Sequence, residues 1–270
     1  MRIAFFIFLV ITFCNTNAQI DIVAQPGEYV EAQNYGGNVE FKRFLQQEMN
    51  YPVKALANKK EGTVELSFVV DSETGKTSRM EIKSSVSPEL DAEAVRLYKM
   101  LLFMPSYYKS ERVTTYSMLR FKFSVKNYNR ICKKRGYKMI DLTDSSIDNS
   151  NIIYKDNQVK FKPKIIFEDS LANISTFIHK NLKYPEGTLR LNITGVVKLF
   201  FVIEPTGRIT NIKVLKDVGG GATNEAIRLL KLTKWESGKK DGKKVRISKE
   251  FEVNFNLTNE SGIDYVPTSY

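Results

Sequence analysis

Few side chains in this sequence could do chemistry, and their spacing keeps them apart. His179 is the only histidine in 270 residues. A serine nucleophile activated by histidine therefore has a single possible base. That base sits among apolar residues at helical spacing, which makes it a surface or partly packed side chain. A zinc site needs about four nitrogen, sulfur or oxygen ligands, and His179 with Cys132, 47 positions away, does not supply them. Asp91 and Glu93 open an expected helix, where carboxylates suit the positive end of the helix dipole. That is a structural role rather than acid–base catalysis. Gly219-Gly220-Gly221 invites a phosphate-loop reading, but no Gly-Lys-Ser/Thr ending follows. The run is read as a flexible entry to a helix. The expectation is a non-enzyme with no metal, no cofactor and no small-molecule substrate.

Charge points outward. Lys and Arg number 41 against 30 Asp and Glu, a net charge of +11. A basic surface suits acidic partners, yet the lysines are scattered. The densest cluster, Lys126 to Lys138, has no nucleic-acid-binding motif around it, so nucleic acid is not an expected partner.

The N-terminus carries an address. Met1-Arg2 precedes an apolar run from Ile3 to Phe13, and Thr16-Asn17-Ala18 supplies a small-x-small end. This describes a secretory signal peptide over residues 1–18, cleaved between Ala18 and Gln19. The run is shorter than the roughly 20 residues a membrane span needs. Retention as an inner-membrane anchor through residues 3–14 is the alternative. After cleavage only Cys132 remains, so no intramolecular disulfide is possible and the fold must stand on its cores.

The elements come from an internal repeat. Tyr51-Pro52 recurs as Tyr184-Pro185, 133 positions later, with Phe44-Leu45 matching Phe177-Ile178 and Gly62 matching Gly195. Val64, Leu66, Phe68 and Val70 match Val197, Leu199, Phe201 and Ile203. One deletion in the following turn makes the offset 132, and Gly75 then matches Gly207. Glu93-Ala94-Val95-Arg96-Leu97 matches Glu225-Ala226-Ile227-Arg228-Leu229, and Phe103 matches Trp235. Val113, Leu119, Phe121 and Phe123 match Val245, Phe251, Val253 and Phe255. Two copies with a long connection argue for two domains, since a solenoid needs three or more stacked units.

Period types each segment. Phe41, Phe44, Leu45 and Met49 have helical spacing, as do Leu171, Ile174, Phe177, Ile178 and Leu182. Each helix must end before its Tyr-Pro, because proline disfavours the helical conformation in the residue before it. Val64–Val70 and Val197–Ile203 alternate as strands, and glycine turns lead each into an antiparallel partner. Ser87-Pro88 caps and opens a second helix. A long strand closes each copy, Arg112–Val125 and Lys244–Leu257. The fold class is α+β: two tandem two-layer domains, each helix-strand-strand-helix-strand with a three-stranded antiparallel sheet. The domains are placed at 36–126 and 167–258, with a linker at 127–166 and a tail at 259–270. Asn151–Phe167 has enough alternation to add a strand to the second copy. Tyr51, Pro52, Tyr184, Pro185 and Trp235 read as core and chain-exit positions.

Gly36-Gly37, Phe44-Leu45, Tyr51-Pro52, Gly62 and Leu90-Asp91-x-Glu93-Ala94, in this order, resemble the TonB C-terminal domain family. The second copy offers Tyr184-Pro185, Gly195, Asn224-Glu225-Ala226 and Trp235 in matching places. It lacks the leading Gly-Gly, and the first copy lacks the tryptophan. The resemblance implies a periplasmic protein-binding module linked to TonB-dependent transmembrane transport. Its last strand would capture an extended segment of an outer-membrane transporter, or of another envelope protein, as an added strand. The residues so implied are Val113, Thr115, Ser117, Leu119 and Phe121 in the first copy. In the second they are Val245, Ile247, Lys249, Phe251 and Val253. A full TonB has a proline-rich arm; this chain has eight prolines in all. The competing expectation is a structural envelope protein whose domains bind other sheets or acidic polymers.

Overall fold

The computed structural model describes residues 29–167 and 173–256. The expected signal peptide, its Ala18–Gln19 cleavage site, the alternative anchor, Leu171 and the tail lie outside the described residues.

In the first copy β1 (Gln33–Asn34) leads into α1 (Gly37–Glu48) and a single turn, α2 (Val53–Ala57). β2 (Gly62–Val70), β3 (Thr77–Ser84), α3 (Pro88–Met100), β4 (Phe103–Met104), β5 (Ser106–Tyr108), β6 (Glu111–Val113) and β7 (Thr115–Phe123) follow. α4 (Val125–Arg135) and β8 (Ile153–Tyr154) occupy the connection. The second copy repeats the plan as β9 (Lys164–Ile166), α5 (Ile174–Asn181), α6 (Glu186–Arg190), β10 (Gly195–Ile203), β11 (Ile209–Lys216) and α7 (Ala222–Leu232). It closes with β12 (Lys234–Glu236), β13 (Lys239–Lys240), β14 (Lys243–Lys244) and β15 (Arg246–Phe255).

The first sheet has the order β3-β2-β7, antiparallel throughout, and the second β11-β10-β15-β8. The helices cover one face of each sheet. Phe44, Leu90, Ala94 and Leu97 pack on Val64, Leu66, Phe68, Phe121 and Phe123. Ile178, Ala226, Leu229 and Leu230 pack on Val197, Leu199, Phe201, Val253 and Phe255. Ser87 caps α3 by accepting from the Leu90 N–H, with Pro88 at the first helical position, as the sequence predicts. The turn glycines are held for one reason in both copies. Gly75 and Gly207 have φ of 68° and 81°, and a Cβ there would lie 2.3 and 2.1 Å from the carbonyl oxygens of Phe103 and Trp235. Replacing Gly207 with alanine is expected to cost about 1–2 kcal/mol for the left-handed backbone alone. The carbonyl clash adds to that in denaturant unfolding, whereas alanine at open Gly242 meets nothing within 4 Å.

Three parts differ from the sequence expectation. The closing strands are shorter: Val113 pairs with Ser106 in the β5–β6 hairpin, and Val245 lies between β14 and β15. The stretch read as a linker carries structure on both domains. α4 lays Tyr128 into the first core against expectation, while β8 joins the second sheet as the alternation over Asn151–Phe167 predicts. The repeat also extends upstream. Gln33–Asn34 pairs with β4 as Lys164–Ile166 pairs with β12, and Val30 bridges Tyr107 as Phe161 bridges Lys239.

The two copies meet face to side. α1 of the first lies against β11 of the second. Arg208 grips Glu48 at 2.6 Å, and Lys231 reaches Glu40 at 2.5 Å. Asn211 holds the end of α3 from both sides: its Nδ2 donates to the Met100 carbonyl (3.0 Å) and its Oδ1 accepts from Leu102 N–H (2.8 Å). Arg246 pairs with Glu204 at 2.9 Å, both nearly fully buried, and also donates to the Met100 carbonyl at 2.7 Å.

Candidate partner-binding edges

Each copy holds the end of its first helix to its second through a carboxylate clamp. Glu93, one turn into α3, accepts from Asn50 N–H (2.7 Å) and from Arg96, whose Nη2 donates on to the Glu48 carbonyl (2.6 Å). The second copy repeats this: Glu225 accepts from Lys183 N–H (2.6 Å) and Arg228, which reaches the Asn181 carbonyl (2.5 Å). The clamp fixes the chain immediately before each Tyr-Pro. Burial pushes the Glu93 carboxyl above its usual range despite Arg96. At Glu225 burial acts in the same sense, but hydrogen bonds from Arg228 and Lys183 N–H outweigh it and hold the value low. Asp91 accepts from Ser85 Oγ and Val86 N–H, a structural role at the helix entry.

The Tyr-Pro tyrosines then fill the cores. Tyr51 is fully buried and donates to the Lys60 carbonyl at 2.5 Å, its ring edge-on to Phe123. Tyr184 stands likewise against Phe255. Trp235 packs on Phe201 and donates to Thr233 Oγ1 at 2.7 Å. Gly62 and Gly195 open β2 and β10. His179 is exposed on α5.

Among the described residues β7 is an edge of its sheet. Thr115, Ser117, Leu119 and Phe121 alternate inward, with Phe121 fully buried and Ser117 6% exposed. Phe121 therefore offers a partner only its backbone. The outward set is Tyr116, Met118, Arg120 and Lys122, all exposed. Sequence reasoning placed Tyr116 and Met118 on the strand but did not single them out. Their period was the available signal. The Ser117 hydroxyl is buried and has no hydrogen-bond partner.

β15 differs, because its first residues are covered. β8 runs parallel to it, with Ile153 beside Arg246 and Tyr154 beside Ile247. Ser248 Oγ donates to the Tyr154 carbonyl (3.3 Å), and Lys249 pairs with Asp156 at 2.5 Å. Val159, Val245, Ile247 and Tyr154 form a small core under this cover. Ile247 and Lys249 are thus engaged by the chain itself, while Phe251 and Val253 are buried in the second core.

A cavity of about 290 Å³ lies at the junction of the copies, lined by Arg96, Arg208 and Arg246. Those arginines already hold Glu93, Glu48 and Glu204. No group of three or more His, Cys, Asp or Glu that could hold a metal occurs among the described residues. No helix among them is long and apolar enough to cross a membrane.

The model of the Gram-negative bacterial TonB protein C-terminal family matches residues 47–125 and 180–257, which are the two copies. The chain belongs to the TonB C-terminal family. The matched stretches begin at the end of the first helix and finish with the closing strand in each copy. No curated protein matches the chain. Membership makes this a TonB-like protein of the cell envelope, built from protein-interaction domains. Among the described residues β7 pairs with β2 alone, whereas β15 is paired on both sides at its start, by β10 and β8.

Proposed function

We propose that this TonB-like protein is an exported adaptor that captures an extended segment of an outer-membrane transporter by strand addition on β7. The observation that carries this reading is the last strand itself. Among the described residues it is the outer strand of its sheet in one copy, and in the other it already pairs with an extended segment of the chain. Main-chain hydrogen bonds would supply affinity, and the outward row Tyr116, Met118, Arg120 and Lys122 selectivity. The family match supports the transporter as partner class. The apolar leader at residues 3–13 supports export, with the periplasm as destination.

The test uses proline. Successive N–H groups of an antiparallel strand point to opposite edges, so one of Ser117 and Met118 donates outward. Proline at the outward position removes a donor from the open edge while sparing the β2–β7 ladder. That variant is expected to fold and to lose binding of transporter-derived peptides by tenfold or more in calorimetry. Unchanged affinity in both proline variants sinks strand addition on β7.

A second reading has one observation behind it. Lys160, Lys162, Lys164, Lys239, Lys240, Lys243 and Lys244 gather around the ladder joining residues 161–166 to 234–239. Such a strip suits acidic cell-wall or surface polymers. Binding of that kind weakens steeply between low and physiological salt and ignores the β7 prolines.

A further inference from the structure

The second copy carries a hairpin built against its own electrostatics. β13 and β14 place Lys239 opposite Lys244 and Lys240 opposite Lys243. Side chains directly opposite on antiparallel strands have Cβ atoms about 5 Å apart, so like charges there are destabilising. The turn does not require them. Asp241 and Gly242 both have positive φ, as a tight two-residue hairpin turn needs. The first copy makes the same turn at Lys109 and Ser110, but its corresponding pairs are Tyr107 with Arg112 and Tyr108 with Glu111. Among the described residues, Lys239, Lys240 and Lys243 form no ion pair.

The charge continues beside the hairpin. Lys160, Lys162 and Lys164 are exposed, with Glu236 set opposite Lys164. The same ladder and hairpin in the first copy carry Glu31, Lys109, Glu111 and Arg112, whose charges cancel. Apolar side chains stand among the lysines of the second copy. Phe161 is 57% exposed although two backbone hydrogen bonds with Lys239, of 2.8 and 3.3 Å, fix its place. The Lys160 ammonium lies 5.7 Å from the centre of its ring. Ile166, 55% exposed, follows Lys162 and Lys164 on one row, since alternate residues of a strand share a face.

We infer that this face docks the second copy on an anionic lipid surface. The ammonium groups of the hairpin and strip meet negatively charged headgroups, and Phe161 and Ile166 enter the boundary between headgroups and acyl chains. Lysines near such a surface are attracted to it over about a Debye length. Exposed apolar side chains flanked by lysines hold interfacial helices in the same plane. A soluble polyanion would take the lysines and leave Phe161 and Ile166 in water, and that difference selects a bilayer over the acidic polymer of the second reading. Headgroup charge over the opposed lysines also relieves their repulsion, so what weakens the free hairpin favours the bound one. None of these residues lies on β7, and the inference is independent of the transporter reading.

Co-sedimentation of the purified chain with vesicles tests it, using phosphatidylcholine alone and mixtures rich in phosphatidylglycerol. The apolar run at residues 3–13 is common to every chain compared and cancels from the ratio between the two vesicles. Wild type is expected to prefer the anionic vesicles, and Lys240→Ser/Lys243→Ser to weaken that binding about tenfold or more. The same double variant is expected to unfold no earlier than wild type, because it removes an opposed like-charge pair. Lys240→Arg/Lys243→Arg should keep the binding. Phe161→Ser is expected to weaken vesicle binding about fivefold and to leave binding of soluble polyglutamate unchanged. Equal binding to neutral and anionic vesicles, or unchanged binding in the double serine variant, overturns the inference. Polyglutamate bound as tightly as vesicles, with Phe161→Ser affecting neither, overturns it in favour of the polymer.

Discussion

Replacing Arg246 with alanine is expected to lower unfolding stability by about 3–5 kcal/mol, because it leaves the Glu204 carboxylate buried without its partner. The guanidinium and carboxylate are 4% and 2% exposed, so little solvent is available to take over. Arg246 also supplies a donor to the Met100 carbonyl of the other copy. Its loss therefore weakens the second domain and the junction together. Denaturant unfolding should show one cooperative transition in wild type and a separated, earlier loss of the second copy in the variant. Arg246→Met with Glu204→Leu, which removes both charges, is expected to recover much of the loss. A single transition of unchanged midpoint in Arg246→Ala would mean that the pair does not hold the junction.

The clamp at Glu93 gives the second large effect. Glu93→Ala strands the Arg96 guanidinium and the Asn50 N–H in a buried site, and about 3–5 kcal/mol is expected to be lost. Glu225→Ala should act less, since Arg228 is more exposed than Arg96. Acid separates the two copies further. Glu225 is held below its ordinary value, so its contribution is present at neutral pH and fades as pH falls through the folded value. Glu93 is held above it, so protonation there favours the folded state. Unfolding midpoints followed below the usual carboxylate range should drop for wild type and drop less for Glu225→Gln.

Much of the fold is legible because both copies state it. Alternation marks β2 and β10, helical spacing marks α1, α3, α5 and α7, and the Ser87-Pro88 entry is read directly. What escapes is what the repeat does not share. Arg246, Glu204 and Asn211 build the junction, and their counterparts are Thr114, Asp71 and Arg79. A pairing unique to one copy leaves no periodic trace, although the departure from the repeat is itself a signal. α4 was available: Val125, Tyr128, Ile131 and Cys132 stand at helical spacing inside a lysine-rich stretch that reads as connection. Val113 and Val245 alternate in phase with the closing strands, yet the chain turns through hairpins before those strands begin. Short hairpin strands of two or three residues carry too little period to be seen.

For the candidate site, sequence reaches the strand but not its state. Ser117 lies on the predicted edge, and nothing in its neighbours shows that its hydroxyl is buried and unpaired. Ile247 and Lys249 lie there too, but their cover comes from residues 153–156, nearly a hundred positions earlier. Contacts of that range depend on the path of the connection, which the sequence leaves open. That the start of β15 carries a second partner strand and β7, among the described residues, does not is a tertiary fact.

The most direct test is hydrogen exchange on the chain with and without a saturating transporter-derived peptide. Slowed exchange confined to β7, with the amides of β15 and β3 unchanged, is the predicted result. Protection on β15 or β3 instead, or none on β7 at saturation, would contradict capture by the first copy's closing strand.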